Sequence, residues 1–481
     1  MKLRGIGIGV ALIVVAGLLA PGVSSARNPH CAGGIQYVVG GLRDKERGNL
    51  EDYQRQMQKA ISQLESCAVE DTVDYEALGY LGWAYAEVES CGPAGHWFAK
   101  AIAGLTAKGD KKKAENATNN RNSYWVNKLN EGVTKIGAAQ SAYPDFMKQP
   151  ENDADRTLKA EAEKNYNQAL RSLNCAAGLR PGDAQTMRNM GSIYLFMGDF
   201  PKAEKTFREG LKAAPEDSSL KAALKIARTN YANQLNFEKK YDEAIAYFGE
   251  LIKADPENAD LHSSLANARL NRAQAQQGDA RRPEFKMAGA EYQKAGELKK
   301  EDPDLYYNAA VAYQNAGENA LAENMWRASL KLRPDDAETR SGLAGTLAEL
   351  GKYPEAINVL RSAIDTDPKS KKLHRQLGGV YSKAGNNSKA TEELMIYLAL
   401  QNGQPAADPA AAAKSAPAGS EAAKTLASLG TPESVVPWEA QGEKYESWFY
   451  WSKKQAHHFK SGTLSVKSDW GGSGGATGSK N

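Results

Sequence analysis

Residues 337–368 read AETRSGLAGTLAELGKYPEAINVLRSAIDTDP, and this stretch decides the fold. Gly351 divides it into two segments, and Pro368 closes the second one. Glycine supplies a helix stop and proline blocks continuation of a helix, so the stretch predicts two helices joined by a short turn. The alternation of small Ala356 with large Leu360 predicts that the helices pack closely against each other.

The same pattern returns along the chain with a period of 34 residues. The matching positions, repeat by repeat, are Leu81, Gly82, Tyr85, Ala94, Phe98 and Ala101; Met190, Gly191, Tyr194, Gly198, Ala203, Phe207 and Pro215; Gly317, Ala322, Trp326, Ser329 and Pro334; and Leu377, Gly378, Tyr381, Gly385, Ala390 and Leu394. This spacing of small and large residues resembles the tetratricopeptide repeat family. The resemblance implies an all-α solenoid of helical hairpins, in which neighbouring repeats bury one continuous core.

The repeats and the abrupt change of composition after Gln401 set the predicted domain boundaries. The predicted segments are a signal peptide at 1–26, an N-terminal helical hairpin at 27–74, the solenoid at 75–401 with insertions near 109–156 and 278–285, a flexible Ala/Pro-rich linker at 402–424, a small helix-plus-β module at 425–468 and a disordered Gly/Ser tail at 469–481.

The C-terminal module contains three aromatic or alternating stretches: SLGTPESVVPW at 428–438, ESWFYW at 446–451 and HHFKSGTL at 457–464. Their alternation predicts a short helix followed by a β-hairpin or a three-stranded meander. The segment also resembles the helix-plus-β modules of small outer-membrane assembly lipoproteins. With a flexible linker before it, we expect the module to serve as a second contact point on a tether.

The N-terminus has the order of a secretory signal peptide. Lys2 and Arg4 precede an apolar stretch at 6–20, and small residues follow at 24–26. The apolar stretch has 15 residues, fewer than the about 20 that a membrane span needs, although an uncleaved N-terminal anchor is the alternative. The sequence therefore predicts a protein exported to the periplasm or the extracellular space, with no transmembrane span in the mature chain.

Composition and charge argue against a disordered chain and against a nucleic-acid partner. The chain has 61 Lys and Arg against 58 Asp and Glu, a net charge of +3, with 41% hydrophobic and 25% charged residues. This balance is that of a globular protein rather than a disordered one. Because nucleic-acid binding needs a basic surplus on one face, we expect no nucleic-acid partner.

The four cysteines can form disulfides in an exported protein. Cys31 precedes the first predicted helix and Cys67 ends the antiparallel helix after it, so both lie at the same end of a hairpin. Cys67 and Cys91 would lie at opposite ends of adjacent helices, about 20 Å apart, whereas a disulfide tolerates Cα separations of only about 4.4–6.8 Å. We therefore predict a Cys31–Cys67 disulfide and leave Cys91 and Cys175 unassigned.

Signals of catalysis are nearly absent from the sequence. Residues 471–475 match the G-x-S-x-G pattern, but no strand precedes them and no helix follows. His457 and His458 are neighbours on a predicted strand and point to opposite faces, so they cannot easily share a metal ion. We expect a non-enzymatic protein with no metal and no cofactor.

The candidate binding residues lie on the first helix of each repeat. Asn189, Asn230 and Asn308 occupy the same place in their repeats, and similar asparagines hold extended peptides in the groove of tetratricopeptide repeat proteins. An amide offers a donor and an acceptor together, which suits a peptide bond. The alternative is that these asparagines bridge neighbouring helices or face water. Ser264, Gly342 and Gln376 stand at the equivalent place in other repeats and interrupt the series.

The last repeat adds a local positive charge. Lys372, Arg375 and Lys383 fall on one side of its first helix and make this end of the groove basic. Lys372 and Arg375 complete the predicted peptide-binding residues of the groove. Glu338 and Glu349 of the preceding repeat are placed to neutralise them.

Together these features predict an exported scaffold or adaptor. We expect it to bind proteins or extended peptides in its concave groove, in the assembly of envelope complexes. The alternative from another class is an accessory subunit of an envelope enzyme complex, for peptide or glycan processing, with catalysis on another chain.

Overall fold

The computed structural model describes residues 27–471. The predicted signal peptide at 1–26 and residues 472–481 of the predicted tail lie outside the described residues. The chain divides into two compact units, one ending at Ala227 and the other beginning at Arg228. Twenty α-helices and one four-stranded sheet make up the described part of the chain, which confirms the predicted helical hairpins and small C-terminal β module.

The first unit consists of helical hairpins in which each helix packs against the next. Their bounds are α1 Pro29–Glu46, α2 Leu50–Glu70, α3 Tyr75–Glu87, α4 Cys91–Ala107, α5 Lys111–Ala142, α6 Asp153–Leu179, α7 Ala184–Phe196 and α8 Phe200–Ala213; the next helix, α9 Ser218–Phe237, crosses the boundary between the units.

Side-chain caps fix where several of these helices begin. The carboxylates of Asp74, Asp110 and Asp183 accept backbone N–H groups in the first turns of α3, α5 and α7. These N–H groups have no partner within the helix, so each cap stabilises a helix by about 1 kcal/mol.

The predicted insertion at 109–156 is instead a repeat with lengthened helices. Its polar residues 111–122 belong to the 32-residue helix α5. Ala114, Ala117 and Leu129 are buried along α5, so enough apolar surface is removed from water to keep the polar stretch helical. α5 then forms a long hairpin with α6.

Two disulfides join helices of the first unit. Cys31 is bonded to Cys67, with Cα atoms 4.9 Å apart, and this bond closes the open end of the α1–α2 hairpin. Cys91 is bonded to Cys175, with Cα atoms 5.0 Å apart, and this bond holds the start of α4 against α6. The sequence does not predict this second pair, because the approach of α6 to α4 depends on how the long helix α5 packs.

Helices α4 and α6 meet backbone to backbone beside the second disulfide. A Cβ atom at Gly95 would lie 1.9 Å from the carbonyl oxygen of Gly178, and one at Gly178 would lie 2.9 Å from the backbone nitrogen of Gly92. Since real Cβ atoms do not approach other atoms so closely, this crossing requires glycine on both helices.

The second unit continues the hairpins and ends in the sheet. Its elements after α9 are α10 Tyr241–Ala254, α11 Ala259–Ala275, α12 Arg282–Leu298, α13 Pro303–Ala316, α14 Asn319–Leu332, α15 Ala337–Glu349, α16 Tyr353–Thr366, α17 Lys371–Lys383, α18 Asn387–Asn402, α19 Pro409–Lys414, α20 Glu421–Leu429, β1 Ser434–Ala440, β2 Glu443–Tyr450, β3 Gln455–Lys460 and β4 Thr463–Asp469. The predicted insertion at 278–285 contains a single 3₁₀ turn, Gly278–Arg281, followed at once by α12.

Two repeats of this unit share the same buried polar brace. In α17, His374 places Nδ1 2.6 Å from Glu393 and Nε2 2.9 Å from the carbonyl oxygen of Pro368. In α11, His262 makes the same two contacts with Glu291 and with the carbonyl oxygen of a proline, Pro256, six residues earlier. Each brace ties the start of a first helix to its second helix and satisfies groups that burial would otherwise leave without partners.

The C-terminal sheet is a four-stranded antiparallel meander, with the strands in chain order. The sheet therefore has one strand more than the predicted three-stranded meander and two more than the predicted hairpin, because residues 434–440 form the additional strand β1. Pro437 is tolerated there because β1 is an edge strand. One face of the sheet packs against α18, and the other is covered by α19 and α20.

The predicted flexible linker at 402–424 is wrong. This segment contains α19 and the start of α20, whose buried Ala413 and Ala422 pack with Trp448 and Phe459 of the sheet. Alanine is the best helix former, so its abundance here supports capped helices rather than a tether. The expectation of a tethered contact point fails with the linker.

The start of the predicted disordered tail is also ordered. Asp469 ends β4, and Trp470 is buried against the His374 ring, with 6.0 Å between ring centroids. Its backbone N–H donates to the carbonyl oxygen of Lys454. Burial of this indole explains why the chain remains packed here despite the glycines that follow.

A buried hydrogen-bond relay fastens the sheet to α18. Trp438 Nε1 donates to Ser447 Oγ (2.8 Å), which lies 2.6 Å from His458 Nδ1. On the other side, His458 Nε2 lies 3.1 Å from Ser468 Oγ, and Ser468 donates to the carbonyl oxygen of Glu392 in α18. Because the Ser468 proton is engaged with that carbonyl, Ser468 accepts from Nε2–H and Nδ1 accepts from Ser447. The relay therefore requires neutral His458.

We expect Gly95→Ala to destabilise the first unit by at least ~1–3 kcal/mol, because the added methyl group overlaps the Gly178 carbonyl. Gly137→Ala in α5 is the matched control, since no atom lies within 4 Å of its new Cβ, and it should stabilise the helix by about 0.5–1 kcal/mol. Urea unfolding of both variants measures the difference. Equal shifts of the two midpoints would contradict the close crossing.

Acidification is expected to destabilise the C-terminal module. Burial, reinforced by His457 and His374, lowers the pKa of His458 to about 3, whereas an unfolded histidine titrates near ~6.5. The unfolded chain thus binds the proton first, so the stabilisation is complete above about pH 6.5 and is lost progressively as the pH falls towards about 3.

Urea unfolding followed by tryptophan fluorescence at pH 7 and pH 4.5 measures this loss. The variant His458→Gln carries no titrating group at this position and should lose less free energy of unfolding between the two pH values. A pH dependence equal to that of the unmodified protein would show that His458 is not responsible.

Candidate protein-binding face

The first helices of the second unit carry a face rich in amide side chains, here called the amide face. Its members lie three, four or seven residues apart on each helix, so they share one side. They are Asn230, Asn233 and Asn236 on α9, Asn267 and Asn271 on α11, and Asn308 and Asn315 on α13, and each is partly or fully exposed. Two of them, Asn230 and Asn308, are predicted site residues; the position within the repeat does not identify the other five.

Several amides of this face are already engaged by neighbours. Asn271 Nδ2 donates to Asn236 Oδ1 at 3.1 Å, which links α11 to α9, and the Tyr292 hydroxyl donates to Asn267 Oδ1 at 2.5 Å. These side chains support the structural alternative, in which amides bridge helices.

The side chains of Asn230 and Asn308, in contrast, are not engaged by neighbouring side chains of the described residues. Neither side chain forms a hydrogen bond with another residue in the range 27–471, and Asn308 is exposed. Both amides therefore keep a donor and an acceptor for a ligand. Asn189, the third predicted residue, lies on α7 of the first unit, is half-buried, and likewise has no side-chain hydrogen bond to a described residue.

The interruptions of the series have physical causes. Gly342 lies against the Trp326 ring, and a Cβ atom there would be 2.6 Å from the indole, so no amide fits. Gln376 is used structurally: its Nε2 donates to the Ser341 carbonyl oxygen and its Oε1 accepts from Ser341 Oγ, both at 2.7 Å. The pair joins α17 to α15.

The basic end of the last repeat is largely neutralised. Lys372 Nζ lies 3.6 Å from Glu338, and Lys383 Nζ lies 2.7 Å from Glu349, as the sequence suggested. Arg375 is exposed and lines a shallow cavity of about 380 Å³ between α17 and α18, whose floor includes Gly378 and Gly379. Because both lysines are paired with glutamates, they add little net positive charge to this end of the last repeat.

The described residues contain no cluster of three potential metal ligands whose ligand atoms are all free. In residues 27–471 the group of potential ligands that come close together is Cys31, Cys67 and Asp74, and its two sulfur atoms are joined in a disulfide. His457 faces α19 and α20 with Trp448 and Phe459, whereas His458 faces α18, so the two rings lie on opposite sides of the sheet.

Comparisons with known proteins agree with the hairpin pattern. One sequence profile of the tetratricopeptide repeat matches residues 238–281 and 307–371, and a second matches residues 160–226 and 347–414. The matched stretches fall on helical hairpins of both units.

Solved structures similar to this chain include three proteins of low identity. YrrB, a TPR protein with an unusual peptide-binding site, is 22% identical, with 40% of this chain and 92% of YrrB covered and a TM-score of 0.32. The MamA protein is 17% identical, with 37% and 91% covered and a TM-score of 0.33. TTC0263, a thermophilic TPR protein in Thermus thermophilus, is 20% identical, with 41% and 99% covered and a TM-score of 0.25.

The two kinds of amide should respond differently to removal. Gln376→Ala breaks the bridge to Ser341 and should lower the free energy of unfolding by about 1–2 kcal/mol. Asn308→Ala should change it by less than about 0.5 kcal/mol, because an exposed side chain without partners contributes little. Thermal melts followed by circular dichroism compare the variants, and a larger loss for Asn308→Ala would move that residue into the structural class.

Proposed function

We propose that this chain, which is a tetratricopeptide repeat protein, is an exported scaffold that binds an extended segment of a partner protein along its amide face. The observation that carries the proposal is the pair Asn230 and Asn308, whose amides lie on first helices of the second unit with hydrogen-bonding groups unused by described residues. An extended peptide presents N–H and C=O groups in alternation, and an amide side chain pairs with both.

The supporting amides give the face a fixed frame. Asn236 and Asn271 hold each other, and Asn267 is held by Tyr292, so these side chains have lost part of their rotamer freedom before a ligand arrives. Binding to a frame ordered in advance costs less conformational entropy than binding to freely rotating side chains. Backbone recognition of this kind tolerates many partner sequences.

Export is the second part of the proposal. It rests on the order of charge, apolar residues and small residues at 1–26, and on the two disulfides, which are typical of oxidising compartments. None of the helices in residues 27–471 combines the length and apolar character needed to cross a membrane. We place the protein in the periplasm or the extracellular space, with a role in the assembly of envelope complexes.

Partner capture from the exported fraction tests the proposal. The double variant Asn230→Ala/Asn308→Ala removes two neutral hydrogen bonds of about 0.5–1.5 kcal/mol each, so the affinity for a captured partner should fall about five- to hundredfold. Asn358→Ala is the matched control, because Asn358 is an exposed asparagine on the second helix α16.

Quantitative mass spectrometry of the crosslinked complexes gives the readout. Partners lost from the double variant and kept by Asn358→Ala support the amide face. Partners retained equally by all three proteins would remove Asn230 and Asn308 from the site, and absence of the protein from the exported fraction would contradict export.

A further inference from the structure

The first unit contains an arginine that burial leaves without a counter-charge. Arg121 lies on α5, is half-buried, and has an Nε that neither reaches solvent nor meets an acceptor. No carboxylate of the described chain forms an ion pair with it, whereas Lys113 and Lys128 on the same helix pair with Glu76 and Glu131. Burial, and then repulsion from Arg180, lower the pKa of Arg121. A partly buried cation without a counter-charge is less well solvated than an exposed one, so an anion would be stabilised at this position.

A second arginine is held beside it. Arg180, at the end of α6, stacks on the Trp125 ring, with 4.0 Å between its guanidinium carbon and the ring centroid. Its Nη2 lies 3.1 Å from Asp183, but that carboxylate also caps α7 through the N–H and hydroxyl of Thr186. The Trp125 indole itself donates to Thr186 Oγ1 at 3.0 Å. Arg180 is therefore fixed in place and only partly neutralised.

The two arginines lie near one aromatic ring. Arg121 and Trp125 are four residues apart on α5 and share a side of the helix, and Arg180 stacks on the Trp125 ring. The cluster thus holds two guanidinium groups, neither of which is fully neutralised by a carboxylate of the described residues.

The frame under the cluster is rigid. The Cys91–Cys175 disulfide and the contact of Gly95 with Gly178 hold α6 against α4, two residues before Arg180. Leu179, directly before Arg180, is buried in the same cluster that Trp125 borders. The guanidinium of Arg180 is therefore positioned before any ligand binds, which lowers the entropy cost of binding.

We propose that Arg121, Trp125 and Arg180 form a second binding site, which takes an acidic segment of a partner protein. A guanidinium fork matches a carboxylate in geometry and in charge, and Arg121 supplies such a fork. Two guanidinium groups that are not fully neutralised, those of Arg121 and Arg180, favour an acidic segment over a single small anion, because successive Glu or Asp side chains can pair with both. The proposal rests on the scaffold function above and names the chemistry of a partner segment at the first unit.

Binding of a labelled, acetylated and amidated hexaglutamate peptide to the full oxidised chain tests the site by fluorescence anisotropy. Arg121→Gln should weaken the affinity at least about tenfold, and Arg121→Lys should cause an intermediate loss because lysine lacks the fork. Arg171→Gln, an exposed arginine on α6, is the matched control and should change the affinity less than twofold. Raising the salt concentration should weaken binding to the unmodified chain.

Three results would overturn the site. They are equal losses in Arg121→Gln and Arg171→Gln, no binding to the unmodified chain, or inorganic phosphate binding at this cluster where hexaglutamate does not. A thermal melt provides a further readout: removal of an unpaired cation should not lower the melting temperature, so a large drop with unchanged peptide affinity would make Arg121 structural. Partner capture through Asn230 and Asn308 is measured separately, so failure here leaves the scaffold proposal standing.

Discussion

Each repeat depends on one kind of contact. A large aromatic ring of one helix packs against a glycine of the neighbouring helix, where no side chain blocks the ring. Within a hairpin, Gly82 lies against Phe98 and Gly191 against Phe207, and between two hairpins Gly342 of α15 lies against Trp326 of α14. In all three a Cβ atom would overlap the ring or its backbone. The ring fills the crossing of the two helices, and Phe98, Phe207 and Trp326 are buried as a result. Burial of such a ring contributes several kilocalories per mole, so each hairpin forms only where glycine, or another small residue, faces it.

This requirement also determines what is left for binding. One side of every first helix is occupied by the crossing, and the side that carries the amide face is free of that packing. At Gly342 core packing and ligand binding compete for the same position, because the Trp326 ring occupies the place at which other repeats carry an asparagine. Packing is satisfied there and the amide is absent. The spacing of Asn230 and Asn308 along the second unit thus follows from the core as much as from any ligand.

The repeats could be predicted from the sequence because a 34-residue period of small and large residues has one physical explanation. The extent of α5 could not, since its polar residues hide the few alanines that are buried, such as Ala114 and Ala117. The Cys91–Cys175 bond depends on that helix and was missed with it. The helices within residues 402–424 could not be predicted either, because an alanine-rich segment can be a flexible linker or a pair of helices until another part of the protein covers it.

The candidate site was predicted in part. Position within the repeat identified Asn230 and Asn308, but only three-dimensional contacts distinguish them from Gln376, which bridges two helices. The five further asparagines had a signal in their spacing of three, four or seven residues on each helix. The His262 and His374 braces also had one, the repeated interval of six residues from Pro256 and Pro368. The Arg121 cluster had none, because its members come from α5 and from the turn after α6.

The sheet docked on α18 limits how this repeat array can grow. A stack of helical hairpins has two ends, and an end left bare exposes the apolar side on which another hairpin would sit. Here Met395, Ile396 and Ala399 of the last helix are sealed by Val436, Trp438 and Phe449. Duplication of a hairpin after α18 would have to displace that seal, whereas duplication between earlier hairpins would not. Related chains of different length are therefore expected to gain or lose hairpins upstream and to keep the last hairpin and the sheet as one inherited block.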